Sequence, residues 1–397
     1  MGIIRIKYIC RCCSQFDKGL NKKIISQIKH LRNHNIETIH YSVCTDDEKA
    51  SDSSIELIKI PMKTKLIFLK RVKREYNFYN ILNYLITTSQ EEDIVYLRIP
   101  YPSIQLTQIL KKARLCKICI EYQTIEPLEY KLIKKYWYLI LDFFFGNAIR
   151  TYTDAIVGVT DEITSYQLSR AGNQNKPHIT IGNGFDVASA TVRHPPKYDG
   201  KDLHLLCVAH IRRWNGLDRL LNGIANHHNS PKIILHIAGD GEELSHLQEL
   251  AVHLGITDRV VYHGFTTGRS LDTLFNTCHI GVGSLGIHRI GLKEASILKA
   301  REYCARGLPF MYGIKDPDFP LDFPFILQIP PDESPVDMKK VISFAETVCT
   351  DHDTPRKMHR YAEEHLDWSV KMKTLKGFLE TMSESRKGRP EKNSPDL

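Results

Sequence analysis

Residues 203–241 read LHLLCVAHIRRWNGLDRLLNGIANHHNSPKIILHIAGDG, and this stretch decides the fold. Leu203–Ala209 is an apolar run of strand length, Leu217–Asn226 has apolar residues at helical spacing, and Lys232–Ala238 is a second strand ending at a Gly-Asp-Gly turn. Strand, helix, strand in that order is a βαβ unit, which predicts a parallel sheet covered by helices. The pattern continues downstream with a helix from about Glu243 to Leu254, a strand at Val260–His263, a helix at Asp272–Cys278 and a strand at His279–Ser284.

The same alternation fills the first half. Residues 3–9 (IIRIKYI) read as a strand, and Lys22–Asn33 reads as a helix with Ile24, Ile25, Ile28 and Leu31 on one face. Ile36–Val43, Asp93–Arg98, Lys117–Tyr122 and Ala155–Thr160 are further strands. Between the halves, residues 171–202 are rich in Gly, Pro and Asn, as an interdomain crossing would be. At 397 residues the chain is too long for one ordinary core, so two α/β domains are expected. Two such sheets facing across a cleft place a ligand at the carboxyl ends of their strands. Trp368–Met382 reads as an amphipathic helix, and the polar tail from Ser383 as disordered.

Composition narrows the function. No apolar run reaches the roughly 20 residues of a membrane span. Tyr136–Gly146 (YWYLILDFFFG) comes nearest, but it is short and broken by Asp142. No signal peptide is evident at the start, and the ten cysteines are scattered, which fits reduced thiols in a cytosolic protein. Their one cluster, Cys10, Cys12 and Cys13, lacks partners at metal-ligand spacing. The net charge of +8 lies wholly within residues 1–186, and residues 187–397 are neutral. That asymmetry points to an acidic partner, and an anionic membrane surface is one candidate. Residues 63–79 (KTKLIFLKRVKREYNFY) mix basic and apolar side chains as an interfacial helix does, or as a surface helix with a core-facing stripe does. No nucleic-acid motif accompanies the charge, so nucleic acid is not an expected partner.

The chemistry concentrates in Glu294-Ala-Ser-Ile-Leu-Lys-Ala-Arg-Glu302, followed by Tyr-Cys-Ala-Arg-Gly-Leu-Pro309. Ser296 is the expected N-cap of a helix running to about Arg306, with Gly307 as its stop and Pro309 preventing continuation. Gly281, Gly283, Gly286 and Gly291 let the preceding loop approach a ligand closely. Free amides at the helix start, with Lys299 in its first turn, make a site for a diphosphate. Glu302, one turn further in, is placed to accept hydrogen bonds from paired ribose hydroxyls, and Glu294 is placed to face the sugar.

Two glutamates separated by seven residues, with Gly-Leu-Pro closing the helix, resemble the E-x7-E motif of GT-B glycosyltransferases of family 4, the group 1 domain. The resemblance spans most of residues 180–382. It includes Ile181-Gly-Asn-Gly-Phe-Asp186, Leu235-His-Ile-Ala-Gly-Asp-Gly241, Val260-Val-Tyr-His-Gly264 and the short strand within Asn276–Val282, in the family's order. It implies two Rossmann-like domains, residues 1–185 for the acceptor and 186–366 for the nucleotide sugar, with helix 367–382 crossing back and a tail at 383–397. It implies transfer of a sugar from a nucleotide diphosphate with retention of configuration, with no metal or other cofactor. By that resemblance Glu302 holds the ribose, and the amides of Ala295, Ser296, Ile297 and Leu298 hold the diphosphate. Glu294 would bind a donor-sugar hydroxyl, Gly264 would lie beside the base, and the leaving phosphate would assist deprotonation of the acceptor.

One departure matters. Where the family has an Arg and a Lys five residues apart, this chain has His210 and Asn215. The diphosphate charge must then be met by Arg212, Arg213, the His288-Arg289 pair or Lys299, with Arg289 and Lys299 preferred. In the first half, Gly19 sits where the family has a phosphate-approaching loop, and Glu121 follows a strand where an acceptor-side acid or base would lie. The expected protein is a cytoplasmic transferase, peripheral at the inner membrane face. It would build a surface polysaccharide on a saccharide or lipid-linked acceptor. The alternatives are a nucleotide-sugar epimerase of similar fold and an inactive nucleotide-sugar-binding protein.

Overall fold

The computed structural model describes residues 4–11, 18–45, 55–60, 67–98, 101–113 and 115–384. Two compact units emerge, Met1–Ile181 with Ser369–Leu397, and Gly182–Trp368. The N-terminal unit comprises β1 (Arg5–Arg11), α1 (Lys18–Asn33), β2 (Glu37–Thr45), β3 (Ile55–Ile60), α2 (Ile67–Thr87), β4 (Asp93–Arg98), α3 (Ile104–Lys112), β5 (Lys117–Tyr122), α4 (Glu126–Leu132), α5 (Tyr136–Tyr152), β6 (Ala155–Gly158), α6 (Asp161–Ala171) and β7 (His178–Thr180). Its seven strands lie in the order β3-β2-β1-β4-β5-β6-β7, every neighbouring pair parallel.

The C-terminal unit repeats the plan. It contains β8 (Asp202–Val208), α7 (Leu217–Ala225), β9 (Lys232–Ala238), α8 (Leu244–His253), β10 (Val260–Gly264), α9 (Arg269–Thr277), β11 (Ile280–Val282), α10 (Leu298–Arg306), β12 (Phe310–Tyr312), β13 (Ile326–Gln328), α11 (Met338–Val348) and α12 (Thr354–Tyr361). Six parallel strands run β10-β9-β8-β11-β12-β13. The last helix, α13 (Trp368–Glu384), groups with the N-terminal unit, where the Lys376 ammonium donates to the His34 carbonyl at 2.9 Å. The tail beyond residue 384, Cys12, Cys13 and residues 61–66 lie outside the described residues.

Alternation along β8 and β9 explains the C-terminal core. Leu203, Leu205 and Cys207 pack with Ile233, Leu235 and Ile237 on one face, under Leu220, Leu221 and Ile224 of α7. The opposite face carries a row of imidazoles. His204 Nδ1 lies 2.9 Å from His236 Nε2, His236 Nδ1 lies 3.0 Å from His263 Nε2, and the His204 amide donates to His279 Nδ1 at 3.1 Å. Burial pushes His236 and His279 down to about 4, helped by the neighbouring His204 in both cases.

The strands that periodicity did not show, β3, β7, β12 and β13, are short, and three of them have only three residues. A three-residue run has no pattern of its own; the sheet recruits it, and β3, β7 and β13 lie at sheet edges with β12 one strand in.

Candidate functional site

Because each sheet is parallel, all strand carboxyl ends share one edge. In the C-terminal unit the strand order reverses between β8 and β11, the point where α/β sheets bind ligands. The loops leaving these two strands meet there. The Leu285 amide donates to the Asn215 carbonyl at 2.9 Å, and the Gly286 amide donates to the Trp214 carbonyl at 3.2 Å. Asn215 is buried, and its Oδ1 accepts from the Arg212 amide at 2.7 Å. It therefore shapes the loop in place of the expected cation. The Gly-Asp-Gly turn after β9 packs on the same loop: a Cβ at Gly239 would sit 1.8 Å from the Ala209 carbonyl oxygen, and one at Gly241 2.1 Å from that of Ile211. Beneath, the Tyr303 hydroxyl accepts from the Val208 amide at 3.0 Å and reaches the carbonyls of Leu206 and Val282, spanning the gap between β8 and β11.

The motif loop ends at this edge. The cap of α10 is Ile297, not Ser296. The Ser296 hydroxyl instead accepts from the Asn183 amide at 2.6 Å, and the Asn183 side chain donates to the Ser296 carbonyl at 2.6 Å. The amides of Ala295 and Ile297 are also taken, by the Lys315 carbonyl at 3.0 Å and Asp316 Oδ2 at 3.2 Å. Among the described residues no acceptor meets the Leu298 and Lys299 amides, the open donors expected at a helix start. The Lys299 ammonium nitrogen is buried without a hydrogen-bond partner among the described residues, and desolvation pushes its pKa down. Gly307 stops the helix with φ +76.

A tether that the sequence reading missed holds the loop. Arg301 is fully buried, donates to Asp316 Oδ1 at 2.8 Å and the Asn183 carbonyl at 2.9 Å, and also pairs with Asp318. Its only signal was a charge at a helical phase that should be apolar. Glu294 is buried too, and its Oε1 accepts from Lys315 at 2.6 Å. Glu302, half-buried, accepts from Arg306 at 3.0 Å, while Arg306 pairs with Asp272 at 2.6 Å and covers the Phe275 ring.

The remaining candidates separate. Arg289 grips Asp218 with two bonds of 2.9 and 2.7 Å and Glu333 with two of 2.9 and 2.6 Å. Its charge is therefore already met, and it holds the Glu333 carboxyl down at about 2. His288 lies 2.7 Å from Glu333 as well. Arg212 and the exposed His210 lie 3.1 and 3.5 Å from Glu242, and Arg213 is exposed. Gly264 closes β10 in an exposed, left-handed turn with φ +64. Gly19 falls within the first turn of α1 rather than in a loop before it.

Glu121 departs furthest from its expected role. At 2 % exposure it is enclosed in the N-terminal unit, accepting from Tyr96 at 2.6 Å, Lys23 at 3.3 Å and Gln27 at 3.3 Å, with Arg98 at 3.7 Å. Desolvation opposes its charge, but Lys23 and Arg98 outweigh it and hold the carboxyl below its usual range. A carboxylate so enclosed and paired has no open oxygen for an acceptor hydroxyl. The basic segment 63–79 enters α2, and its side chains before residue 75 lie outside the described set.

Comparison with known proteins bears on the family and the fold. Residues 190–309 match the family model of glycosyl transferases group 1. No curated protein matches the chain. Among solved structures, it is similar to the lipopolysaccharide outer core galactosyltransferase WaaB in its apo form, at 19 % identity and TM-score 0.64, covering 95 % of this chain and 99 % of that one. It is also similar to sucrose-phosphate synthase from Thermosynechococcus elongatus, at 14 % identity and TM-score 0.66, covering 96 % and 100 %. Anabaena HepE in complex with UDP and glucose is a third, at 12 % identity and TM-score 0.64, covering 95 % and 100 %. The chain thus carries a domain of the glycosyl transferases group 1 family, set in a GT-B fold.

Proposed function

We propose that the chain is a retaining glycosyltransferase of the family 4 type. It moves a sugar from a nucleoside diphosphate donor to a saccharide or lipid-linked saccharide acceptor in surface polysaccharide assembly, at the inner face of the cell membrane. One observation carries the reading: the two open amides of Leu298 and Lys299 and the unpartnered Lys299 ammonium occur together at the start of α10. An unpaired buried cation is costly, and a bound anion offsets that cost. A diphosphate supplies such an anion, and its negative charge grows as the sugar leaves, which is when preorganised donors act most strongly. The complex of the similar Anabaena protein with UDP and glucose supports a nucleotide of this class.

In this reading Glu302, steadied by Arg306, accepts from the ribose hydroxyls, and Glu294, steadied by Lys315, accepts from a sugar hydroxyl. The acceptor oxygen bonds to the anomeric carbon as the bond from that carbon to the diphosphate breaks on the same face. The acceptor proton passes to the departing phosphate, so no protein nucleophile is required. Arg289 is a positioning residue for the loop rather than the diphosphate's cation.

The test is incubation with a panel of nucleotide sugars, with and without membrane extract, reading free nucleoside diphosphate and the anomeric configuration of the product. Acceptor-dependent release with retention supports the proposal. Isomerised donor without release would make the chain an epimerase, and the lack of thermal stabilisation by any nucleotide would overturn every donor-based reading.

A further inference from the structure

Helix α5 is built inside out. Its inward face carries charge: Arg150 donates to Asp142 at 3.1 Å and to Glu126 at 3.0 Å, and Arg170 of α6 pairs with Asp142 at 2.9 Å, all but Arg170 being buried. Its outward face carries the aromatics. Tyr136 is 56 % exposed, Trp137 67 %, Ile140 47 %, Phe143 77 % and Phe144 67 %. At about 100° per residue these five fall within a single arc of roughly 120°. A helix of a globular domain buries its apolar stripe, and an exposed contiguous apolar patch of this kind marks an interaction surface.

The chemistry of the border selects the partner. Lys131 and Lys134 stand exposed just ahead of the helix, and Lys135 rests against the Tyr101 and Tyr138 rings. From 136 to 144 the only acidic side chain is Asp142, which is turned inward and paired. Tyr and Trp at the start of the arc, lysines beside them and Phe beyond them reproduce the polarity of a lipid headgroup boundary. No helix among the described residues is long and apolar enough to span a bilayer, so the helix would lie in the plane of the interface.

We propose that the outward face of α5 docks the N-terminal unit on an anionic bilayer, with Trp137, Ile140, Phe143 and Phe144 entering the acyl boundary and Lys131 and Lys134 meeting the headgroups. This deepens the proposed function, resting on it for the membrane-held acceptor that docking would serve. It moves the membrane contact from the basic segment 63–79 to a surface that shows little net charge in sequence.

The test uses the full chain and vesicles of phosphatidylglycerol mixed with phosphatidylcholine, against phosphatidylcholine alone, read by co-sedimentation. Stabilisation by UDP is the parallel readout of the donor site. Binding to the anionic vesicles that weakens with salt is expected. The triple variant W137S/F143S/F144S should bind at least about tenfold more weakly, and K131Q/K134Q about fivefold per lysine on anionic vesicles alone. Both variants should keep the UDP stabilisation of the wild type. Unchanged vesicle binding by the folded triple variant, or no vesicle binding by the wild type, overturns the docking surface. So does a concentration-dependent dimer abolished by the same substitutions. Vesicle binding without UDP stabilisation would leave the docking standing and overturn the donor reading instead.

Discussion

Two charged positions near the carboxyl edges of the two sheets have opposite surroundings. The six C-terminal strands follow the order of the first six N-terminal ones, and both sheets put an ionisable side chain next to the central strands. Around Glu121 every charge is met, with Lys23, Arg98, Tyr96 and Gln27 all within 3.7 Å. Around Lys299 no hydrogen-bond partner among the described residues meets the buried ammonium, and the Leu298 and Lys299 amides of the same helix start have no acceptor among them either. A closed cluster of this kind holds a fold together. A buried charge left unpaired gains from an anion brought against it, because the anion offsets a cost the fold leaves unmet.

The largest effect should come from opening the closed cluster. Glu121→Leu leaves Lys23 and Arg98 buried without their carboxylate and should cost about 3–5 kcal/mol in urea unfolding, with UDP affinity of the folded fraction unchanged. A collapse of UDP binding at unchanged stability would return Glu121 to the donor or acceptor chemistry.

Acid should then tell the two units apart. His236 and His279 are held near 4 in the folded chain against an ordinary value near 6.5, so their contribution is complete above pH 6.5 and is lost as pH falls toward 4. At pH 5 each costs about 2 kcal/mol. The depressed Glu121 acts the other way round in pH, keeping its contribution down to its ordinary value near 4.5 and losing it only below. Hydrogen exchange between pH 7 and 5 should therefore show the C-terminal strands β8 to β10 opening first. Equal loss in both units would contradict this.

Lys299→Met sharpens the comparison at the ligand. Removing an unmet buried cation should leave the melting temperature unchanged or higher, while weakening UDP binding by at least about tenfold, or about 1.4 kcal/mol. A large fall in stability would mean that Lys299 has a structural partner and that the site is closed after all.

The smallest effect is expected at Arg289. With Asp218 and Glu333 already occupying its guanidinium, Arg289→Ala should change UDP affinity by less than about threefold, measured by calorimetry. A loss approaching that of Lys299→Met would show that the arginine releases its carboxylates to the donor.

Much of the site was legible in order along the chain. The motif helix, its Gly307 stop, the Gly-Asp-Gly turn and the strands before them follow from patterns within a few residues of one another. Ser296 is not the cap that local spacing predicts, because its partner, Asn183, lies more than a hundred residues away and local spacing does not register such a bond. The same holds for Arg301 with Asp316, and for Arg289, whose two carboxylates come from α7 and from the loop before α11.

The sequence by itself determined the alternation of strand and helix, the two-unit plan and the glutamate pair, since each rests on short-range periodicity and backbone chemistry. Only the tertiary structure decided which charges are spent and which remain. Whether the charge of Glu121, Arg289 or Lys299 is met depends on partners brought from distant strands and loops. The orientation of α5 depends on Glu126 and Arg170 satisfying its charges from neighbouring helices, which turns the aromatics outward. Desolvation and pairing act through space, and a list of residues does not carry them.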